Sequence, residues 1–142
     1  MERGQVWWVI IGERRPVVLL SGKSGEEQLE FRAMQIVPPA TAEEKRGFVV
    51  LTGEEATDSA RLQQVTGSAG PEIRAIGVEV QIGSPEGLVP DGVVRVALPR
   101  DGRIFCTWLV TLSRESLVEQ AGALSGSKLD QLAQALRLAR IE

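Results

Sequence analysis

The run Val6-Trp7-Trp8-Val9-Ile10-Ile11, the polar link Gly12-Glu13-Arg14-Arg15-Pro16 and the second run Val17-Val18-Leu19-Leu20 decide the fold of this chain. Both runs are short, continuously apolar and rich in β-branched residues, and the link between them carries glycine and proline. Together they read as a β-hairpin whose two strands are buried on both sides.

The same signals recur downstream. A third strand is expected from Phe31 to Val37, stopped by Pro38-Pro39, and a fourth from Gly47 to Leu51. From Gly53 to Arg74 the composition turns polar and closes on Gly67-Ser68-Ala69-Gly70-Pro71, so this stretch reads as an insertion, with a short helix from Asp58 to Val65. From Ile76 to Ile82 apolar residues alternate with Gly77, Glu79 and Gln81, the pattern of a half-exposed strand. Strands at Val93 to Leu98 and Ile104 to Leu112 flank the turn Pro99-Arg100-Asp101-Gly102, and a helical turn is expected from Arg114 to Gln120. At the end, Leu129, Leu132, Ala133, Leu136 and Ala139 repeat at helical spacing, with Ser125 or Ser127 as the cap. The expected class is mainly β: an antiparallel barrel or strongly bent sheet closed by a C-terminal helix. At 142 residues and 43% hydrophobic, the chain is expected to form one domain over 1–142 with a single core.

Composition excludes much chemistry. The chain contains no histidine, which removes Ser-His-Asp and Cys-His hydrolases, His-ligated zinc and imidazole-pair nucleases. Cys106 is the sole cysteine and sits among Ile104, Phe105 and Trp108, so it is expected to be a buried spectator. No phosphate loop is present and the acidic residues lack metal-ligand spacing; neither a metal nor a cofactor is expected. Glu26-Glu27, Glu43-Glu44 and Glu54-Glu55 read as solvated surface. With no long apolar span and no signal-like start, a cytoplasmic protein without membrane attachment is expected.

Arg14-Arg15-Pro16 stands out at the mouth of the first hairpin. On spacing alone it is a solvated turn, yet a guanidinium presents a planar fork of donors that matches phosphate and stays charged at every relevant pH. Here a family resemblance enters. Arg3-Gly4-Gln5-Val6-Trp7-Trp8-Val9 resembles the opening strand of the MazF/PemK toxins, and Arg15-Pro16-Val17-Val18-Leu19-Leu20-Ser21 is similar to their second strand. Gln35-Ile36-Val37-Pro38-Pro39-Ala40-Thr41 resembles their third strand, which ends in threonine. Ile76 to Val80, Glu86-Gly87-Leu88 and Asp91 to Val94 follow in the family's order, as do Leu109 to Leu117 and the closing helix. The chain departs from the pattern at Gln5, in its short first link, and at Trp108 and Val110.

The resemblance implies an SH3-like barrel that dimerises with a second copy and cleaves single-stranded RNA without a metal. It also implies a cognate antitoxin that holds the enzyme inactive. By position, the family's catalytic arginine falls on Arg15 and its catalytic threonine on Thr41. The net charge is −3, so RNA binding requires a local basic patch, and Arg3, Arg14, Lys45 and Arg46 are its expected members. The alternative is a binding module of the same ancestry that does not cleave, either a gyrase-directed poison of the CcdB type or an inactive interaction domain. Trp7, Trp8 and Trp108 are expected to be structural, with Trp7 and Trp8 facing opposite ways.

Overall fold

The computed structural model describes residues 3–20, 30–43, 48–68, 75–98 and 109–139. In chain order these form β1 (Gln5–Ile11), β2 (Glu13–Leu19), β3 (Glu30–Gln35), β4 (Phe48–Thr52), α1 (Gly53–Thr57), α2 (Ser59–Ser68), β5 (Ala75–Ile82), β6 (Gly92–Leu98), β7 (Leu109–Ser113), β8 (Leu117–Ala123) and α3 (Gly126–Leu138), with short 3-10 turns at Ser84–Glu86 and Arg114–Ser116. A five-stranded sheet runs β7-β3-β2-β1-β8 and a three-stranded sheet runs β4-β5-β6. The fold is mainly β, an SH3-like barrel with a C-terminal helix.

The first hairpin is tighter than its sequence suggests. Ile11 pairs with Glu13 across Gly12 alone, whose φ of +72° suits glycine. Residues expected in the link, Glu13 to Pro16, therefore lie in β2. Proline in a central strand forfeits one ladder bond. A residue's N–H and C=O leave a strand on the same side, and the Pro16 carbonyl accepts the Ile36 N–H at 2.9 Å. The missing donor thus faces the place where β3 has already ended.

Strand alternation explains how β1 and β2 are buried on both faces. Val6, Val18, Leu20 and Met34 join the core between the two sheets, together with Val78, Val80, Val94 and Val96 and with Leu132, Ala135 and Leu136 of α3. Val9, Val17, Leu19, Phe31, Ala33 and Leu112 form a second cluster on the opposite face. Trp8 packs against the first and Trp7 against the second, as the alternation requires. Ser125 caps α3, its hydroxyl accepting the Lys128 N–H.

Two further expectations need correction. First, β4 and β5 pair in parallel, not antiparallel. A parallel pair needs a crossover connection, and the polar stretch after β4 supplies it with two helices where a single short one was expected. Second, Leu117–Ala123 is a strand and not a continuation of a helical turn. Its Glu, Gln and Ala content favours helix locally, but β8 pairs antiparallel with β1 along its length, with register shifts between Val6 and Trp7 and between Trp8 and Val9, and tertiary pairing overrides propensity. Gly122 also brings the backbone against the 84–86 turn: a Cβ there would collide with the Glu86 carbonyl oxygen.

Crossover entry is fixed by a reciprocal cap. The Thr52 hydroxyl accepts the Glu55 N–H at 3.1 Å, and the Glu55 carboxylate accepts the Thr52 N–H at 3.1 Å. The Thr52 N–H, aided by Arg61 and opposed by slight burial, holds the Glu55 carboxyl below the usual range. Glu55 is therefore not the freely solvated residue expected of an adjacent acidic pair. Thr52→Ala is expected to cost about 1 kcal/mol in urea unfolding at neutral pH. Because the folded carboxyl titrates lower than the unfolded one, its stabilisation is present above the unfolded value and fades as pH falls through the folded one. Glu55→Gln should remove that acid-dependent part, read as a smaller difference between midpoints at neutral and acid pH.

Candidate functional site

Alternation along β2 sends Glu13, Arg15 and Val17 to one face and Arg14, Pro16 and Val18 to the other. Arg15 is exposed and pairs with Glu13 at 2.8 Å, the two side chains being 44% and 71% accessible. An ion pair this exposed is worth about 0–1 kcal/mol, so a phosphate can displace the carboxylate at small cost. Arg14 is held differently. Its guanidinium lies over the Trp8 ring, 5.0 Å from the centroid, and is ion-paired with Glu119 of β8. The two adjacent arginines thus address opposite faces.

Arg3 lies in the turn before β1 and is partly buried. The next residue, Gly4, donates to the Leu19 carbonyl at 2.9 Å. That places Arg3 near the far end of β2, roughly 13 Å along the strand from Arg15. Lys45 and Arg46 lie outside the described residues, as do Cys106 and Trp108.

Thr41 is exposed, and its position follows from the end of β3. After Ile36 bonds Pro16, Val37 and Val93 of β6 exchange backbone bonds of 2.9 and 2.8 Å, which join the two sheets. The chain then crosses the outer face of the small sheet. Pro38 and Pro39 have no N–H, so this crossing offers few backbone groups by which it can be held. The Pro38 carbonyl accepts from Arg95 Nη2 at 3.0 Å, and the Ala40 N–H donates to Glu79 Oε2 at 3.0 Å. Glu79 and Arg95 are direct partners across β5 and β6. Arg95 Nε and Nη2 meet the same Glu79 oxygen at 3.1 and 3.0 Å. Since Ile36 sits beside Pro16, no more than about 17 Å of extended chain separates Arg15's neighbourhood from Thr41.

Beside this segment lies a hollow of about 560 Å³, walled by Pro39, Gln81, Asp91, Val93, Ser125 and Lys128 among others. The Lys128 ammonium donates to the Gln81 carbonyl. The hollow therefore offers a fixed cation, a carboxylate and an amide next to the clamped segment. Among the described residues, no group of three or more acidic or cysteine side chains is placed to hold a metal ion, and no helix is long and apolar enough to cross a membrane.

Sequence reasoning missed Glu79 and Arg95. Alternation placed Glu79 on the solvent side of its strand, yet only 8% of the residue is accessible. The signal was two opposite charges at outward positions of successive strands. The register that pairs them depends on the irregular connection from Gly83 to Asp91, which periodicity does not resolve.

No family model matches the sequence, and no curated protein sequence does. Among solved structures, the chain is similar to an endoribonuclease in complex with its cognate antitoxin from a mycobacterial species. The TM-score is 0.53 at 13% sequence identity, and the match covers 99% of this chain and 92% of that one. At that identity the likeness establishes a shared fold.

Proposed function

We propose that this chain is a MazF/PemK-type toxin: a metal-independent endoribonuclease that cleaves single-stranded RNA and is neutralised by a cognate antitoxin. In this reading residues 1–142 act as one domain that works as a homodimer in the cytoplasm. The observation that supports it best is that Arg15, weakly held, and Thr41 are both exposed. The two sit on chain segments that meet at the Pro16–Ile36 bond, within a fold shared with an endoribonuclease.

The chemistry follows from the residue types. In metal-free RNA cleavage the neighbouring 2′-hydroxyl attacks phosphorus, and the enzyme stabilises the charged phosphorane while protons move. Arg15 supplies two donors to the phosphorane oxygens. A guanidinium is a poor proton donor, so its contribution is electrostatic. Thr41 orients the 2′-hydroxyl or relays its proton.

Purified protein incubated with a mixed RNA pool in excess EDTA should cut at a short recurrent sequence, read by mapping new ends. An uncut pool would defeat the proposal. One observation favours a second reading, a binding module that does not cleave: Arg14 and Arg15 each carry an acidic partner in a chain of net charge −3. Uncut RNA together with inhibited gyrase supercoiling would establish the poison form of that alternative.

A further inference from the structure

We infer that Glu79 is a positioning residue for Thr41, acting through the Pro38–Ala40 backbone with Arg95 as its brace; the inference rests on reading Thr41 as part of an RNA-cleaving site. One carboxylate oxygen, Glu79 Oε2, receives the Ala40 N–H and two nitrogens of Arg95, and Arg95 in turn grips the Pro38 carbonyl. The pair thus holds the chain on both sides of Pro39, the residue that also walls the hollow. Thr41 is the next residue after the last grip.

The energetics point to geometry as the purpose. Glu79 and Arg95 side chains are 10% and 28% accessible, and an ion pair removed from water this far recovers little net stability, because desolvation offsets most of the Coulomb gain. Apolar residues would serve the barrel as well. What they would not supply is a charged acceptor and a forked donor aimed at two backbone groups across a diproline. Thr41 itself is exposed, and past the Val37–Val93 bridge these bonds tie the crossing segment to the small sheet. A reacting group displaced by about 1 Å can cost roughly a hundredfold in rate, so the grip on Ala40 sets how well the Thr41 hydroxyl meets its target.

The test uses the full chain and an RNA oligonucleotide containing a mapped cut site, with Glu79→Ala, Glu79→Gln, Thr41→Ala and the Glu79→Ala/Thr41→Ala double variant. Glu79→Ala should lower kcat by up to about a hundredfold while KM moves by less than about threefold. Glu79→Gln keeps an oxygen for the Ala40 N–H and should recover part of the loss, with the shape of the pH–rate profile unchanged. In the Thr41→Ala background, Glu79→Ala should cost less than about twofold more, because its effect runs through the missing hydroxyl. Fully additive losses, a loss confined to KM, or an acid limb abolished by Glu79→Gln would overturn the inference, the last by making Glu79 the proton acceptor itself. Backbone amide exchange separates this outcome from failure of the nuclease reading. In Glu79→Ala the Ala40 N–H should exchange at least about tenfold faster while β1 and β2 stay protected; unchanged exchange at Ala40 overturns the clamp even if the wild type cleaves RNA. Faster exchange at Ala40 in Glu79→Ala, alongside a wild type that cleaves nothing, would sustain the clamp and reject the nuclease.

Discussion

Arg15→Ala is expected to fold like the wild type and to cleave RNA about a hundred- to a thousandfold more slowly. The fold should survive because the side chain is 44% accessible and its ion pair is with the still more exposed Glu13. Removing such a pair changes stability by no more than about 1 kcal/mol. The rate should fall because the guanidinium's two donors act on charge that appears on the phosphorane and is weaker in the bound RNA. The loss should therefore lie mainly in kcat. Arg15→Lys keeps the charge without the planar fork and should recover only part of it. Circular dichroism and single-turnover cleavage check both halves, and cleavage at the wild-type rate by Arg15→Ala would remove that residue from the site.

Phe31→Ala should lower stability by about 3–5 kcal/mol. Phe31 is 2% accessible and belongs, with Val17, Leu19 and Ala33, to the cluster on the face of the large sheet that also carries Arg15. Its truncation leaves a cavity behind β2 and β3, the strands from which both candidate catalytic residues project or depart. Domains of this size are stable by only about 5–15 kcal/mol, so the variant loses a large share of its margin. Urea unfolding monitored by tryptophan fluorescence measures it. A loss below about 1 kcal/mol would mean that this face is not packed as a second core.

How much of this was legible from residues alone depends on the element. Val6 to Ile11 and Val17 to Leu20 declared their strands, and Trp7 and Trp8 were expected to face opposite ways because a period of two is dictated by the pleat. The Leu129 to Ala139 spacing declared α3 in the same way. Leu117–Ala123 did not declare itself, since an edge strand of Glu, Gln and Ala takes its conformation from the partner β1 and not from its own propensities. The parallel pairing of β4 with β5 was also hidden, because strand direction depends on where the crossover helices dock.

The site divided along similar lines. Arg15 and Thr41 were marked by resemblance, and the structure leaves both exposed. That Arg14 would be drawn to the other face by Trp8 and Glu119 follows from strand parity, but only once β2 is known to begin at Glu13, before the proline that seemed to exclude it. Glu79 was read as a solvent-facing charge because alternation distinguishes faces and not what later crosses them. The Pro38–Ala40 segment covers that face, and the covering turns a surface carboxylate into a buried one.

The chemistry of the cut ends tests the central claim most directly. With a synthetic RNA carrying the mapped sequence and EDTA in excess, mass spectrometry should find a 2′,3′-cyclic phosphate on the upstream fragment and a 5′-hydroxyl on the downstream one, as attack by the 2′-hydroxyl demands. Fragments ending in a 3′-hydroxyl and a 5′-phosphate, or RNA left whole, would contradict it.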